Sequence, residues 1–268
     1  MLPHDWGPHH HPLPLPLVIS PHGRKNTAWN NAARYWQNLP AAGPFALVCP
    51  DGLARAHSAE SDPLDSPPDP SLFTYGNEGH IDDLARMPRI VQETLPWLPI
   101  DPRRVFVLGS SMGGQETLLL VALHPRLLTG AAALDSATDM AARYRAFALI
   151  AGGVSVQQLA RIEIGGTPQT VPAAYAARSP ITYVRQLAFS GVPLHIWWST
   201  RDRIVLDQNQ ESGRLYRAVK RANPRAPVTQ YVGIWAHSKE MYPLTRLPLA
   251  LLRLKLIKLD EPLPAIGP

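Results

Sequence analysis

The sequence predicts an α/β fold, a three-layer sandwich in which a mostly parallel sheet of about six strands carries helices on both faces and an inserted helical cap. Three observations predict it. Six short runs rich in Val, Ile, Leu, Ala and Phe recur, each bounded by Pro, Gly or charged residues. Most lack apolar/polar alternation, the mark of strands buried on both faces. Segments long enough to hold a helix separate several of them, as parallel crossovers require.

The elements follow in chain order. Residues 1–14, "MLPHDWGPHHHPLP", read as a flexible extension, and the first strand is expected at 15–20. A helix over 27–38 leads to a second strand at 44–49. Residues 52–80 are proline-rich and polar, a long surface loop. A helix over 81–97, a strand at 104–108, a helix over 113–123 and a strand at 129–134 come next. The interval 136–180 is too long for a minimal crossover. It carries helical spacing in "DMAARYRAFALIAGG" and "VSVQQLARI" and reads as the inserted cap. Strands at 193–198 and 228–233 flank a helix over 207–222, and "TRLPLALLRLKLIKL" closes the chain as a packed surface helix.

Composition bounds the function. At 268 residues, 45% hydrophobic and 18% charged, the chain suits one globular domain over 1–268 with a sizeable core. Its net charge of +5 comes from scattered Arg and Lys, so no nucleic-acid patch forms. No run approaches the ~18 apolar residues of a membrane span. The N-terminus lacks the basic and apolar regions of a signal peptide, so the expected location is cytoplasmic as given, or secreted if a leader was removed. A single cysteine, Cys49, excludes an internal disulfide and reads as a small buried residue at a strand end. His9, His10 and His11 have no neighbouring carboxylate or cysteine to complete a metal site, and neither metal nor cofactor is expected.

Chemistry enters at "VFVLGSSMGGQETLLL", residues 105–120. Gly-x-Ser-x-Gly fits one register only, Gly109, Ser111 and Gly113, since a frame on Ser110 would need glycine at Leu108 and Met112. The bare motif is weak. Its context, an expected strand before and helix after, is what a nucleophilic serine on a sharp turn demands. Such a serine needs a base within hydrogen-bond reach and an acid to orient that base. His237, in "QYVGIWAHSKEM", follows the last strand and is the base. His195 reads as a core strand residue, His124 ends the nucleophile helix, and His57 and His80 lie in the long loop. Asp202, in "STRDRIV", is the first-choice acid, and Asp135, in "AAALDSATD", also ends a strand and is the runner-up. Asp207 reads as an early-helix residue. For the oxyanion, Met112 offers one backbone N–H and Arg24, in "VISPHGRKN", the other.

Taken together, "SPHGRKN", "VCPDG", "GSSMGG", "STRDRIV" and "WAHS" in this order resemble the α/β-hydrolase superfamily over about residues 15–256. "YAARSPITYVRQL" is similar to the segment before the acid strand in the branch related to prolyl oligopeptidase, which includes esterases as well as peptidases. The family's two leading strands have no counterpart, so the sheet should be short. No propeller is expected from these residues to restrict access to peptides, which argues against an oligopeptidase. The resemblance implies a serine carboxylesterase working through an acyl-enzyme on a small-molecule or polymeric ester. Tyr75, Trp197, Trp198 and Trp235 are expected near the site, suiting an aromatic, feruloyl-type ester or a polyester, with core packing as the other account of the tryptophans. A small peptidase or amidase with the same triad, and a binding protein that kept the fold without the chemistry, stand as alternatives. Oligomeric state has no sequence signal.

Overall fold

The computed structural model describes residues 13–24, 26–36, 43–51, 75–239 and 247–258. The expected extension lies almost wholly outside these residues, as do His9 to His11, His57 and most of the long loop.

All six strand runs are strands: β1 Leu15–Ile19, β2 Ala46–Val48, β3 Ile100–Ser110, β4 Gly130–Leu134, β5 Leu194–Ser199 and β6 Val228–Gly233. Every residue of β1, β4 and β5 is buried, which is why their sequences are continuous apolar runs. The strands pair in parallel in the order β2-β1-β3-β4-β5-β6. Winding reverses between β1 and β3, so the crevice at their carboxyl ends is where such a sheet places a site.

The helices are α1 Ala28–Asn31, α2 Glu78–Thr94, α3 Met112–Leu123, α4 Met140–Phe147, α5 Gly153–Ile164, α6 Pro172–Ala177, α7 Val184–Phe189, α8 Ser212–Ala222 and α9 Leu247–Arg253. One sheet face, with Val107, Ala133, Ile196 and Trp198, packs on α2, α3, α7 and α8. The other, with Val18, Leu108, Leu134 and Trp197, packs on Trp36, Phe45 and α9. A third cluster lies apart from both. Met140, Tyr144 and Phe147 of α4 and Val156, Leu159 and Ile164 of α5 close on Tyr75, Met112 and Tyr175. Residues 136–180 thus carry a core of their own, built against the first residue of α3.

Two helices begin elsewhere than the sequence suggests. The α2 helix starts at Glu78, because the Asn77 side chain accepts the Gly79 N–H and caps it there, so His80 is helical rather than in a loop. The α8 helix starts at Ser212. Asp207 has φ 53° and its carbonyl accepts the Gln210 and Glu211 N–H groups, a turn that precedes the helix. A polar bolt ties α1 to β1: the Ser20 hydroxyl accepts from Asn31 at 3.0 Å and from the Trp36 indole at 2.9 Å. Cys49 also takes an Asn31 N–H, and burial pushes its thiol up to about 12, leaving it inert as a nucleophile.

His195 is a core residue of β5, its Nδ1 2.5 Å from the Thr229 hydroxyl. Burial and then the Arg253 charge push its imidazole down from 6.5 to about 4. The unfolded chain therefore binds a proton that the folded chain refuses between these pH values, and stability falls as pH drops from 6.5 towards 4. The limiting slope is about 1.4 kcal/mol per pH unit. His195→Gln is expected to flatten this acid limb, which urea unfolding midpoints at pH 7 and pH 4.5 will check.

Candidate active site

Ser111 stands between the end of β3 and the start of α3, at φ 60° and ψ −121°, a conformation costly for any residue with a Cβ. Close packing forces the turn. A Cβ on Gly113 would come within 2.2 Å of the Pro21 carbonyl oxygen, and one on Gly109 within 2.4 Å of the Gly113 oxygen. Only glycine at both positions lets the helix approach the strand and lift the serine above the sheet. The Ser111 N–H donates to the Leu134 carbonyl at 2.9 Å, and its own carbonyl accepts the Gln115 N–H.

The loops after β5 and β6 bring an acid and a histidine together. His237 Nδ1 lies 2.7 Å from Asp202 Oδ2, and the Asp202 side chain is wholly buried. The Ile204 and Val205 N–H groups donate to Asp202 Oδ1 at 2.8 and 2.9 Å, and the Gln208 amide reaches Oδ2. Charge-assisted bonds of this kind hold a carboxylate in one orientation. The Ser110 and Ser238 hydroxyls are hydrogen-bonded, which fixes the histidine loop beside the serine turn. A cleft of about 840 Å³ runs along both loops, lined by residues 200–204 and 234–237.

Asp135 is not the residue that meets His237. It is fully buried at the end of β4, where Oδ1 accepts the Ser199 N–H and Oδ2 accepts the Trp235 indole N–H and the Ser238 N–H, all at 2.8–2.9 Å. Burial pushes its carboxyl up, opposed by His237, reinforced by Asp202 and opposed again by the Ser238 and Ser199 donors. One ligand atom each from Asp135, Asp202 and His237 falls within 4.8 Å of the others. All four carboxylate oxygens already face hydrogen-bond partners, so the trio is a hydrogen-bond network rather than a ready metal site. Another buried carboxylate, Glu211 at the start of α8, braces the segment after β4: its Oε2 accepts the Thr138 N–H and hydroxyl and the Asp139 N–H. Sequence reasoning missed Glu211; its position one residue before an amphipathic helix gave no sign of burial.

On the other side of the serine, Gly23 sits so close that an added Cβ would lie 3.6 Å from Ser111 Cβ, which puts Arg24 beside the turn. His22 Nδ1 lies 2.8 Å from the Gly23 carbonyl, and the Asp51 carboxylate accepts the Ala28 N–H, bracing this bend. Met112 opens α3, at the end where backbone N–H groups point out of a helix. Tyr75 is buried against Phe147 and held at its carbonyl by the Gln115 amide. The tryptophans divide. Trp197 and Trp198 are 0% and 3% exposed, on opposite faces of β5 and deep in the two sheet cores, so neither ring can meet a substrate. Trp235 lines the cleft while its indole serves Asp135.

Residues 77–232, more than half of the chain, match the sequence model of the prolyl oligopeptidase family. The putative esterase NocK of Nocardia uniformis subsp. tsuyamanensis is 33% identical over 122 residues, 45% of this chain and 32% of that protein. The chain thus spans about a third of the curated relative's length. The uncomplexed Pyrococcus horikoshii acylaminoacyl peptidase superposes with a TM-score of 0.64 at 17% identity, over 93% of this chain and 39% of that one. An esterase from Rhizomucor miehei superposes with a TM-score of 0.63 at 14% identity, over 91% and 75%. Both are alike in fold, the α/β-hydrolase fold.

The backbone at Ser111 makes one variant informative. Ser111→Gly removes the Cβ that the turn strains, so it should be more stable than Ser111→Ala by about 1 kcal/mol in urea unfolding. Asp135→Asn keeps one acceptor oxygen where three N–H donors converge. It is expected to destabilise the fold by about 1–3 kcal/mol for each donor left unpaired, read from the same measurement.

Proposed function

The chain belongs to the prolyl oligopeptidase family, and from that premise we propose that it is a serine carboxylesterase acting through an acyl-enzyme. The observation that carries this reading is the 2.7 Å bond from His237 Nδ1 to the buried Asp202 carboxylate, on a loop bonded to the residue before the strained Ser111. With Nδ1 engaged by Asp202, the Nε2 atom is the one left to work on Ser111.

Ser111 Oγ attacks the ester carbonyl carbon while His237 Nε2 takes its proton. The oxyanion that forms is held by the Met112 and Arg24 backbone N–H groups. As the intermediate collapses the C–O bond to the alcohol breaks, and the alcohol leaves with the proton from His237. Water then attacks the acyl-enzyme by the same route and restores Ser111. Asp202 fixes the imidazole tautomer and stabilises the imidazolium. Residues 136–180 act as a lid over this centre, with Tyr75 part of its wall.

An ester is favoured over an amide by the relatives named as esterases, NocK and the fungal enzyme. The family itself and the acylaminoacyl peptidase favour the second reading, a small peptidase or amidase using the same residues. Parallel assays on p-nitrophenyl esters and aminoacyl p-nitroanilides separate the two. Ser111→Ala is expected to lower kcat by about 10⁴- to 10⁶-fold and to abolish labelling by a fluorophosphonate probe. Asp202→Asn should lower kcat by about 10⁴-fold. An unlabelled wild-type chain would leave only a binding protein.

A further inference from the structure

Arg143, on the inner side of α4, is 5% exposed, and its side chain makes no hydrogen bond or ion pair with any described residue. Its guanidinium carbon lies over the Phe147 ring, 4.4 Å from the centroid, and its Nη1 is fully buried without a partner among the described residues. Burial lowers it only to about 10, so it carries its charge at neutral pH. A buried, unpaired cation is costly, and proteins ordinarily pair it.

Its surroundings place it over the reacting centre. Phe147 packs on Tyr75 and shares a cluster with Met112, the residue after Ser111. Tyr75, Glu211, Arg24 and Asp202 all lie near enough to act on its charge, yet neither carboxylate bonds it: the hydrogen bonds of Glu211 and Asp202 go to other donors. Arg24 repeats the pattern, with its own Nη1 buried and unbonded among the described residues. Two guanidinium groups, one from α4 and one from the loop after β1, are thus left with unused donors on segments that pack beside the Ser111 turn.

We propose that Arg143, with Arg24, forms an anion-binding subsite for the acyl half of the substrate, so that the preferred esters carry a carboxylate on the acyl chain. The side follows from the roles already assigned. His237 must reach the leaving oxygen, so the alcohol lies along the cleft of residues 200–204 and 234–237. Neither arginine lines that cleft, and each belongs to a segment that packs against Ser111 or Met112. Planar guanidinium groups suit a carboxylate, which two of them can grip through paired N–H donors.

This inference rests on the esterase reading, and its test separates the two. Hydrolysis of the mono-p-nitrophenyl ester of glutaric acid is compared with that of p-nitrophenyl valerate, in the full chain and in Arg143→Gln and Arg143→Lys. The wild type should favour the glutarate ester in kcat/KM. Arg143→Gln should lower that value by about 10- to 100-fold while leaving valerate nearly unchanged, and Arg143→Lys should restore part of it. A wild-type preference for valerate, or an equal loss on both esters in Arg143→Gln, overturns the subsite and assigns Arg143 a structural role. If neither ester is turned over the esterase reading fails, and calorimetric titration with free glutarate still decides the subsite. Binding to wild type that weakens in Arg143→Gln upholds it, and no difference overturns it.

Discussion

The Asp135 carboxylate takes hydrogen bonds from Ser199, Trp235 and Ser238, three donors on the segments that follow β5 and β6. The Ser199 hydroxyl, equally buried, ties the same two segments, donating to the Trp235 carbonyl and accepting the Trp235 and Arg201 N–H groups. The two side chains together set the spacing of the acid and histidine loops. Asp202 can lie 2.7 Å from His237 because both loops start from positions that Asp135 fixes. An anion with no exposed surface is expensive to hold. Here three donors repay it, and the geometry of the whole carboxyl edge follows from satisfying them.

Backbone strain gathers at the same edge. Ser111, Asp135 and Ser238 all have positive φ, and they are linked: Ser111 donates to the residue before Asp135, and Ser238 donates to Asp135 itself. A serine, an aspartate and another serine would each avoid this region in a free chain. They hold it because packing against Pro21 and the Asp135 bonds leave no alternative, which is how strained residues persist at working sites.

The strands were legible because a sheet covered on both faces writes itself as unbroken apolar runs. The serine register was legible because two glycines flank Ser111 and none flanks Ser110 at the required spacing. Other features needed three dimensions. Asp135 and Asp202 both follow strands, Asp135 directly after β4 and Asp202 in the loop after β5, and the difference in their roles lies in which donors surround each carboxylate. Trp197 and Trp198 carried a usable signal, since adjacent residues on a doubly covered strand must point into opposite cores. Nothing in the sequence around Arg143 marks it as buried; Phe147 and Tyr75 close around it only in the fold.

The bonds that assemble the centre span the chain. Ser110 and Ser238 are 128 residues apart in sequence, Asp135 and Ser238 103, and Asp135 and Trp235 100. Closing loops of that length is entropically slow, and parallel strand pairing adds to the delay. Local elements such as α3, α4 and α5 can form while Ser111 is still far from His237. Under the proposed function, a nascent chain therefore becomes chemically competent only late in its collapse, when these distant segments have met.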